Sequence, residues 1–422
     1  MKTILKNSIW IGVLILGFSL YGQNRNLDNY RQPDKNGINV FEAPKDSIST
    51  FEEVKVRIGG ASTLQFQALS NENSGAVPLA EVGSNFNLAT ANLDLDVALY
   101  DGVRMHLRTY LSSRHHHEPY VKGGYFQIDK LDFISEGFLE DFMKHATIKI
   151  GHMENNYGDA HFRRSDNAQT IFNPFVGNLI MDSFTTEVGA ELYYQCNSGF
   201  LGMVGFSNGK LNQNVKESAG TTGGAAFLAK LGYDKQLSDD FRFRLTGSLY
   251  NTGYAQTVYL YTADRAGSRY YDIMQDAAAT SDNFRSGRFD PGFRNKITAI
   301  MINPFLKYQG LEVFGTVELT NGRRLNETDR RNAEQYAGEV IYRFGNNENF
   351  YIGGRYNTVS AELQGGDDIS IDRFQLGAGW FLTKNILLKA EYVNQEYKDY
   401  PAGDLLEDGN FKGLMMEAAI SF

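Results

Sequence analysis

Apolar and polar residues alternate with a period of two through most of this chain, and that pattern leaves few folds open. Leu93, Leu95, Val97 and Leu99 are interleaved with Asn92, Asp94 and Asp96. The turn Asp101-Gly102 follows, and then Val103, Met105, Leu107 and Leu111 alternate with Arg104, His106, Arg108 and Tyr110. Successive side chains of a strand point to opposite faces, so such runs are strands with one apolar and one polar face. Two of them around an Asp-Gly pair predict a hairpin. About sixteen runs of this kind follow one another between residues 54 and 422, and no repeat of fixed length accompanies them. A propeller or solenoid is therefore disfavoured.

The connections alternate too. Asp101-Gly102, Cys196–Ser198, Leu237–Asp239, Gln309-Gly310, Gly345–Asn349 and Thr383–Asn385 are short; 70–85, 114–122, 155–183, 208–223, 252–293, 322–332, 361–367 and 398–410 are long and polar. The stretch 134–145 is predicted as a short helix replacing one tight turn. Short turns at one end and long loops at the other are the pattern of a transmembrane antiparallel barrel, with periplasmic turns and extracellular loops. The expected fold is thus all-β, a barrel of about sixteen strands. Its apolar face would meet lipid and its polar face would line a lumen. Aromatics near strand ends, among them Tyr100, Tyr110, Phe200, Tyr250, Tyr308, Phe344, Phe350, Trp380 and Tyr392, are read as interfacial girdles. The last strand, Leu414, Met416, Ala418, Ile420 and Phe422, ends the chain on an aromatic residue. Closing the barrel removes the edge this strand would otherwise expose.

Residues 1–22 are read as a cleaved export signal: Lys2 and Lys6, an apolar run from Ile9 to Leu20, then Gly22 before Gln23. The run is shorter than the ~20 residues of a membrane helix. Residues 23–50 are polar and are expected to form a flexible periplasmic extension; 51–422 is the barrel. Composition agrees: 29 Phe and 24 Tyr favour strands, and a net charge of −9 argues against nucleic acid as a partner. A single cysteine, Cys196, excludes an internal disulfide and a thiolate cluster.

The stretches NVFEAPKDSISTFEEVKVRIGG, NFNLATANLDLDVALYDGVRMHLRTYLSSRHHHEPYVKGG and ATIKIGHMENNYGDAHFRRSDN, with the leader and the terminal Phe422, resemble Gram-negative outer-membrane porins near the phosphate-selective porin O and P group. The specific words lie within 39–190. The resemblance implies a sixteen-stranded porin in the outer membrane, passive diffusion of small hydrophilic solutes or ions, and anion transport. It further implies lipid contact, assembly by the barrel-assembly machinery reading Phe422, and a homotrimer as one available state. No cofactor is implied.

Pore-lining candidates are Arg104, His106, Arg108, Arg242, Arg244, Asp94 and Asp96, with Lys149 and Lys230 among further lumen-side cations. Loop 155–183 is the third long connection. With His161, Arg163, Arg164 and Asp166 beside Phe172 and Phe175, it is expected to enter the lumen and form the constriction. Lumen-side changes such as Asp94→Arg or Lys389→Glu are then expected to be tolerated, and lipid-side ones such as Leu95→Arg or Leu388→Arg to be costly. The run His115, His116, His117 points alternately to opposite sides, so no metal site is expected. No G-x-S-x-G elbow occurs, and the expectation is a non-enzyme. The rival reading is a surface adhesin or receptor acting through loop 252–293.

Overall fold

The computed structural model describes residues 27–422 apart from 88, 114–118, 167, 213, 218–220, 222, 263–266 and 268. The His115–His117 run and the leader lie outside the described residues. The first half of the chain forms β1 (Lys55–Glu72), β2 (Asn85–Phe86), β3 (Thr90–Tyr100), β4 (Val103–Ser112), β5 (Tyr120–Ile128), β6 (Ala146–Glu154), β7 (Thr186–Gln195) and β8 (Phe200–Ser207). The second half forms β9 (Ala226–Gln236), β10 (Phe241–Thr252), β11 (Lys296–Tyr308), β12 (Leu311–Arg323), β13 (Arg331–Phe344), β14 (Phe350–Glu362), β15 (Asp368–Thr383), β16 (Ile386–Lys398) and β17 (Asn410–Ser421). β2 is a two-residue stub on β1. The other 16 strands close one antiparallel barrel. The predicted helix in 134–145 is a single turn, Glu140–Met143.

Closure is made by β1 and β17, paired from Ala61↔Ser421 to Glu72↔Asn410. Phe422 extends the ladder: its N–H donates to the Gly60 carbonyl at 3.0 Å, and the Gly60 N–H donates to the Phe422 carbonyl at 3.1 Å. Gly60 permits this approach, because a Cβ there would stand 3.2 Å from the Phe422 ring and 3.0 Å from the Asn92 carbonyl. Among the described residues no helix is long and apolar enough to cross a membrane. Crossing falls to the strands, each of which is hydrogen-bonded to a neighbour on both sides around the closed ring.

The outer face carries Leu93, Ile300, Val340, Ile352, Leu376, Leu388 and Leu414 in exposed positions. At the short-turn end Phe344, Phe350 and Trp380 stack across neighbouring strands, with centroids 5.8 and 5.7 Å apart. Tyr110 and Tyr250 depart from the expected girdle. They are 1% and 0% exposed and face inward, and the Tyr250 hydroxyl donates to Glu187 at 3.0 Å. A tyrosine suits either place, since its ring needs apolar surroundings and its hydroxyl a partner. Leu388 stands opposite Trp380 in the short-turn girdle, so Leu388→Arg is expected to cost only about 0–1 kcal/mol, against the sequence expectation, whereas the mid-strand, lipid-facing Leu376→Arg is expected to lower barrel stability by about 2–4 kcal/mol. The temperature at which the folded band converts on heat-modifiable gels checks it.

The inner face is not uniformly polar. Toward the long loops, Leu228, Ile297, Met301, Val359, Ile371, Val393 and Met415 point inward and form one buried cluster with loop residues. Val176, Ile180 and Met181 reach it from loop 155–183, and Val258, Leu260, Tyr270, Ile273 and Phe293 from the loop between β10 and β11. There the wall is apolar on both faces, lipid covering one and folded loop the other. The loop on which the adhesin reading rested is thus largely packed inside the barrel.

The N-terminal segment corrects another expectation. Residues 28–46 do not trail free but sit across the short-turn mouth. Phe41 is 2% exposed and packs edge-on against Phe305 of β11 at 5.4 Å. Its polar composition suits the place, because the wall there offers charges as partners.

Candidate functional site

The lumen wall is built from inward positions of the alternating strands, and ion pairs join those positions across neighbouring strands. Arg108 forks onto Asp94, with Nε and Nη2 donating at 2.7 and 2.8 Å. His106 Nδ1 lies 2.8 Å from Asp96, and Arg57 and Arg104 lie 3.3 and 3.5 Å from it. The register opposes Asp94 to Arg108 and Asp96 to His106, so each pair is a direct cross-strand contact. Arg242 forks onto Asp234 at 2.8 and 2.6 Å. Arg244 forks onto Asp159 at 2.8 Å to each oxygen and also reaches Glu42 and Asp234. All seven pore-lining candidates face the interior, and all seven have partners of opposite charge or a hydrogen bond to one.

Loop 155–183 lies inside the barrel and is anchored to the wall along its length. The backbone N–H groups of Asp159, Ile180 and Met181 donate to Asn303, Asn357 and Gln335. Those of Val176 and Gly177 donate to one oxygen of Glu391, at 2.8 and 3.1 Å. The Lys389 ammonium donates to the carbonyls of Thr170, Asn173 and Phe175 at 3.2, 3.2 and 3.0 Å. An irregular loop buried in a barrel needs such partners, because its backbone cannot reach water.

The four constriction candidates are all buried in this loop, but each is paired. His161 lies between Glu154 at 2.9 Å and Asn156 at 3.0 Å. Arg163 donates to Asn39 at 2.6 Å and to Glu339 at 3.3 Å, with Glu312 3.8 Å away. Arg164 forks onto Asp182 at 2.6 and 2.9 Å, lies 3.2 Å from Asp166, and stacks 4.0 Å over Phe184. Asp166 also meets Lys122 at 3.6 Å. Burial alone would raise the Asp182 carboxyl, but Arg164 and Arg288 outweigh it and hold it below its ordinary value. The two guanidiniums therefore hold the loop together through carboxylates and offer little free positive charge to the lumen.

A cavity of about 170 Å³ runs between the inner segments and the wall of β4, β5 and β6. Its lining holds the cations Arg31, Arg104, Arg108, Lys122 and Lys149, with His106 and His161, against the acids Glu42 and Glu154. Asp94 and Asp96 are not part of the lining. Lys149 has no ion-pair partner among the described residues; its ammonium stands 4.9 Å from the Tyr193 ring and 5.6 Å from that of Tyr125. Lys122 arrives through a bulge: Arg108 opposes Gly123 and Thr109 opposes Val121, leaving Lys122 between them and turned inward.

No family model matches the chain, and no curated protein matches it. Solved barrels do. An anion-selective porin from Comamonas acidovorans superposes with a TM-score of 0.53 at 11% identity, over 88% of this chain and 100% of that one. OmpT, an outer membrane protein of Vibrio cholerae, gives 0.51 at 12% identity over 89% and 100%. The outer membrane channel DcaP of Acinetobacter baumannii gives 0.50 at 10% over 88% and 98%. The fold is that of outer-membrane porins.

Within this porin fold, the sequence reading missed the N-terminal residues Tyr30, Arg31 and Glu42, and it missed Lys122. The signal for the first three was weak: one phenylalanine, Phe41, in an otherwise polar run. For Lys122 there was none, since a bulge has no period of its own. Among the described residues no group of His, Cys, Asp and Glu could hold a metal ion.

Proposed function

We propose that the chain is an outer-membrane porin of a Gram-negative bacterium that passes small hydrophilic solutes by diffusion, with anions preferred. The observation that carries this reading is the cavity beside β4–β6, whose lining includes Lys149, a lysine with no ion-pair partner among the described residues. Within a confined, poorly hydrated passage a fixed charge is screened less than in bulk water, so a single unpaired ammonium weighs heavily. Lys149 is that group. The resemblance of residues 39–190 to the phosphate-selective porin O and P group supports the same sign of charge. So does the anion selectivity of the Comamonas acidovorans porin. The export signal and the aromatic terminal strand support the location and assembly by the barrel machinery. A trimer form is recorded for the Vibrio cholerae neighbour, and a homotrimer is part of this proposal.

Single-channel recording in planar bilayers with a salt gradient tests it. The expected result is a steady pore with an anion-side reversal potential. Lys149→Gln is expected to move that potential toward cations with little change in heat stability, because it removes the charge without setting a carboxylate against Glu191, the direct cross-strand neighbour. An unchanged potential in this variant counts against the cavity as the path.

A further inference from the structure

We propose that residues 28–50 are a built-in plug that narrows the short-turn mouth and sets the size limit of the pore, leaving the basic cavity beside β4–β6 as the way past it. The proposal rests on the channel reading above and adds the element that determines its size.

The segment closes on itself. The Asn29 N–H donates to the Asp46 carboxylate at 2.6 Å, and the Asp46 N–H donates back to the Asn29 side-chain oxygen at 2.7 Å. Four residues further on, the Thr50 N–H and hydroxyl donate to Asp28 at 2.7 and 2.8 Å. Ends held together this way close the segment into a loop of its own.

Between its clasped ends the loop touches the barrel around its circumference. The Tyr30 hydroxyl donates to Asp96 of β3 at 3.1 Å. The Lys35 N–H donates to the Lys384 carbonyl, in the turn between β15 and β16, at 2.8 Å. The Asn39 amide donates to Glu312 of β12 at 2.6 Å. Glu42 meets Arg244 of β10 at 2.8 Å, and Lys45 meets Asp129 after β5 at 2.9 Å. A trailing leader would make contacts on one side only. These contacts draw the loop across the mouth.

The middle of the loop is filled from above. Phe162 and Phe172, from loop 155–183, meet Arg31 there: its guanidinium lies 3.9 Å over the Phe172 ring and donates to the Phe162 carbonyl at 3.1 Å. Arg31, Phe162 and Phe172 also line the basic cavity. The plug is therefore one wall of the remaining passage. The barrel closes without it, because β17 pairs with β1, which begins at Lys55, and among the described residues no wall strand begins earlier.

The test compares the full chain with a deletion of 28–50 and with Arg31→Ala. Folding is checked on heat-modifiable gels. Conductance is read in planar bilayers, and the size limit by liposome swelling with neutral sugars of increasing size, which are blind to charge. The deletion is expected to raise conductance about threefold or more and to admit larger sugars, since flow is governed by the narrowest section. Arg31→Ala is expected to raise conductance less, in the same direction, and it decides the matter if the deletion does not fold. A closed full chain with a conducting deletion also supports the plug. A conducting full chain whose conductance and sugar limit are unchanged in the folded variants overturns the plug and leaves the channel standing. Folded proteins none of which conducts overturn both.

Discussion

Asp159→Ala is expected to destabilise the barrel by about 3–5 kcal/mol, the cost of stranding buried charge. Asp159 has no exposed surface and accepts four side-chain hydrogen bonds: two from Arg244 at 2.8 Å, one from Lys230 at 3.0 Å and one from Thr246 at 2.7 Å. Lys230 and Arg244 are themselves 1% exposed. Removing the carboxylate leaves Lys230 with Glu42 alone, 3.5 Å away, and Arg244 sharing that Glu42 and reaching Asp234. The loss is read as a fall in the temperature or urea concentration at which the folded gel band disappears. Asp159→Asn, which keeps hydrogen-bond capacity, is expected to cost less.

The same cluster sets an acid limit. Burial pushes the Glu42 carboxyl up, but Arg244 and Lys230 outweigh it and draw it down to about 2. Asp159 is likewise held below the ordinary carboxylate range by the same two cations, against burial. A carboxylate depressed in the folded state contributes its full stability above its unfolded value, about 4, and loses it as pH falls toward the folded value. The stability difference between the native chain and Asp159→Ala is therefore expected to be level at neutral pH and to shrink below about pH 4. A difference that widens on acidification would show that the cluster does not act in this sense.

Lys389→Glu is expected to be of comparable severity, about 3–5 kcal/mol. The alternation places Lys389 on the lumen side, where a change of charge was expected to be tolerated. The structure reverses that expectation. The ammonium lies 2.5 Å from Glu417, its direct cross-strand neighbour, and donates to three carbonyls of loop 155–183. A glutamate there would oppose Glu417 and face three acceptors with no proton to give. Asp94→Arg is corrected on the same ground, since it would set a second guanidinium against Arg108. Limited proteolysis within 155–183, together with the heat-modification temperature, measures the effect. If Lys389→Glu keeps native protection of 155–183, the loop is held by other contacts than this lysine.

The barrel was legible because its cause is local. A residue's side of the strand depends on its parity, and parity survives any error in where a strand begins. Asp94, Asp96, Arg104, His106 and Arg108 could therefore be assigned to one face from the hairpin alone. The constriction was legible only in outline. Loop 155–183 enters the lumen, but Arg163 and Arg164 are bound to Glu339 and Asp182 rather than presented to solute. Lys149, named only as one cation among many, is distinguished by having no ion-pair partner among the described residues, and a partner is a fact about space.

By itself the sequence determined the period of two, the hairpin order, the long and short ends, and a last strand that must pair with the first. These follow from backbone geometry acting between neighbours. Tertiary structure decided which charges neutralise each other, which loops fill the interior, and where the N-terminal segment lies. Ile180 meets Asn357 across 177 positions, and Asn39 meets Glu312 across 273. No local pattern encodes such contacts. Alternation also cannot separate lipid from a folded loop, because both reward an apolar side chain in the same way. Leu388 faces the first and Met301 the second, and only the closed barrel, with its loops packed inside, tells them apart.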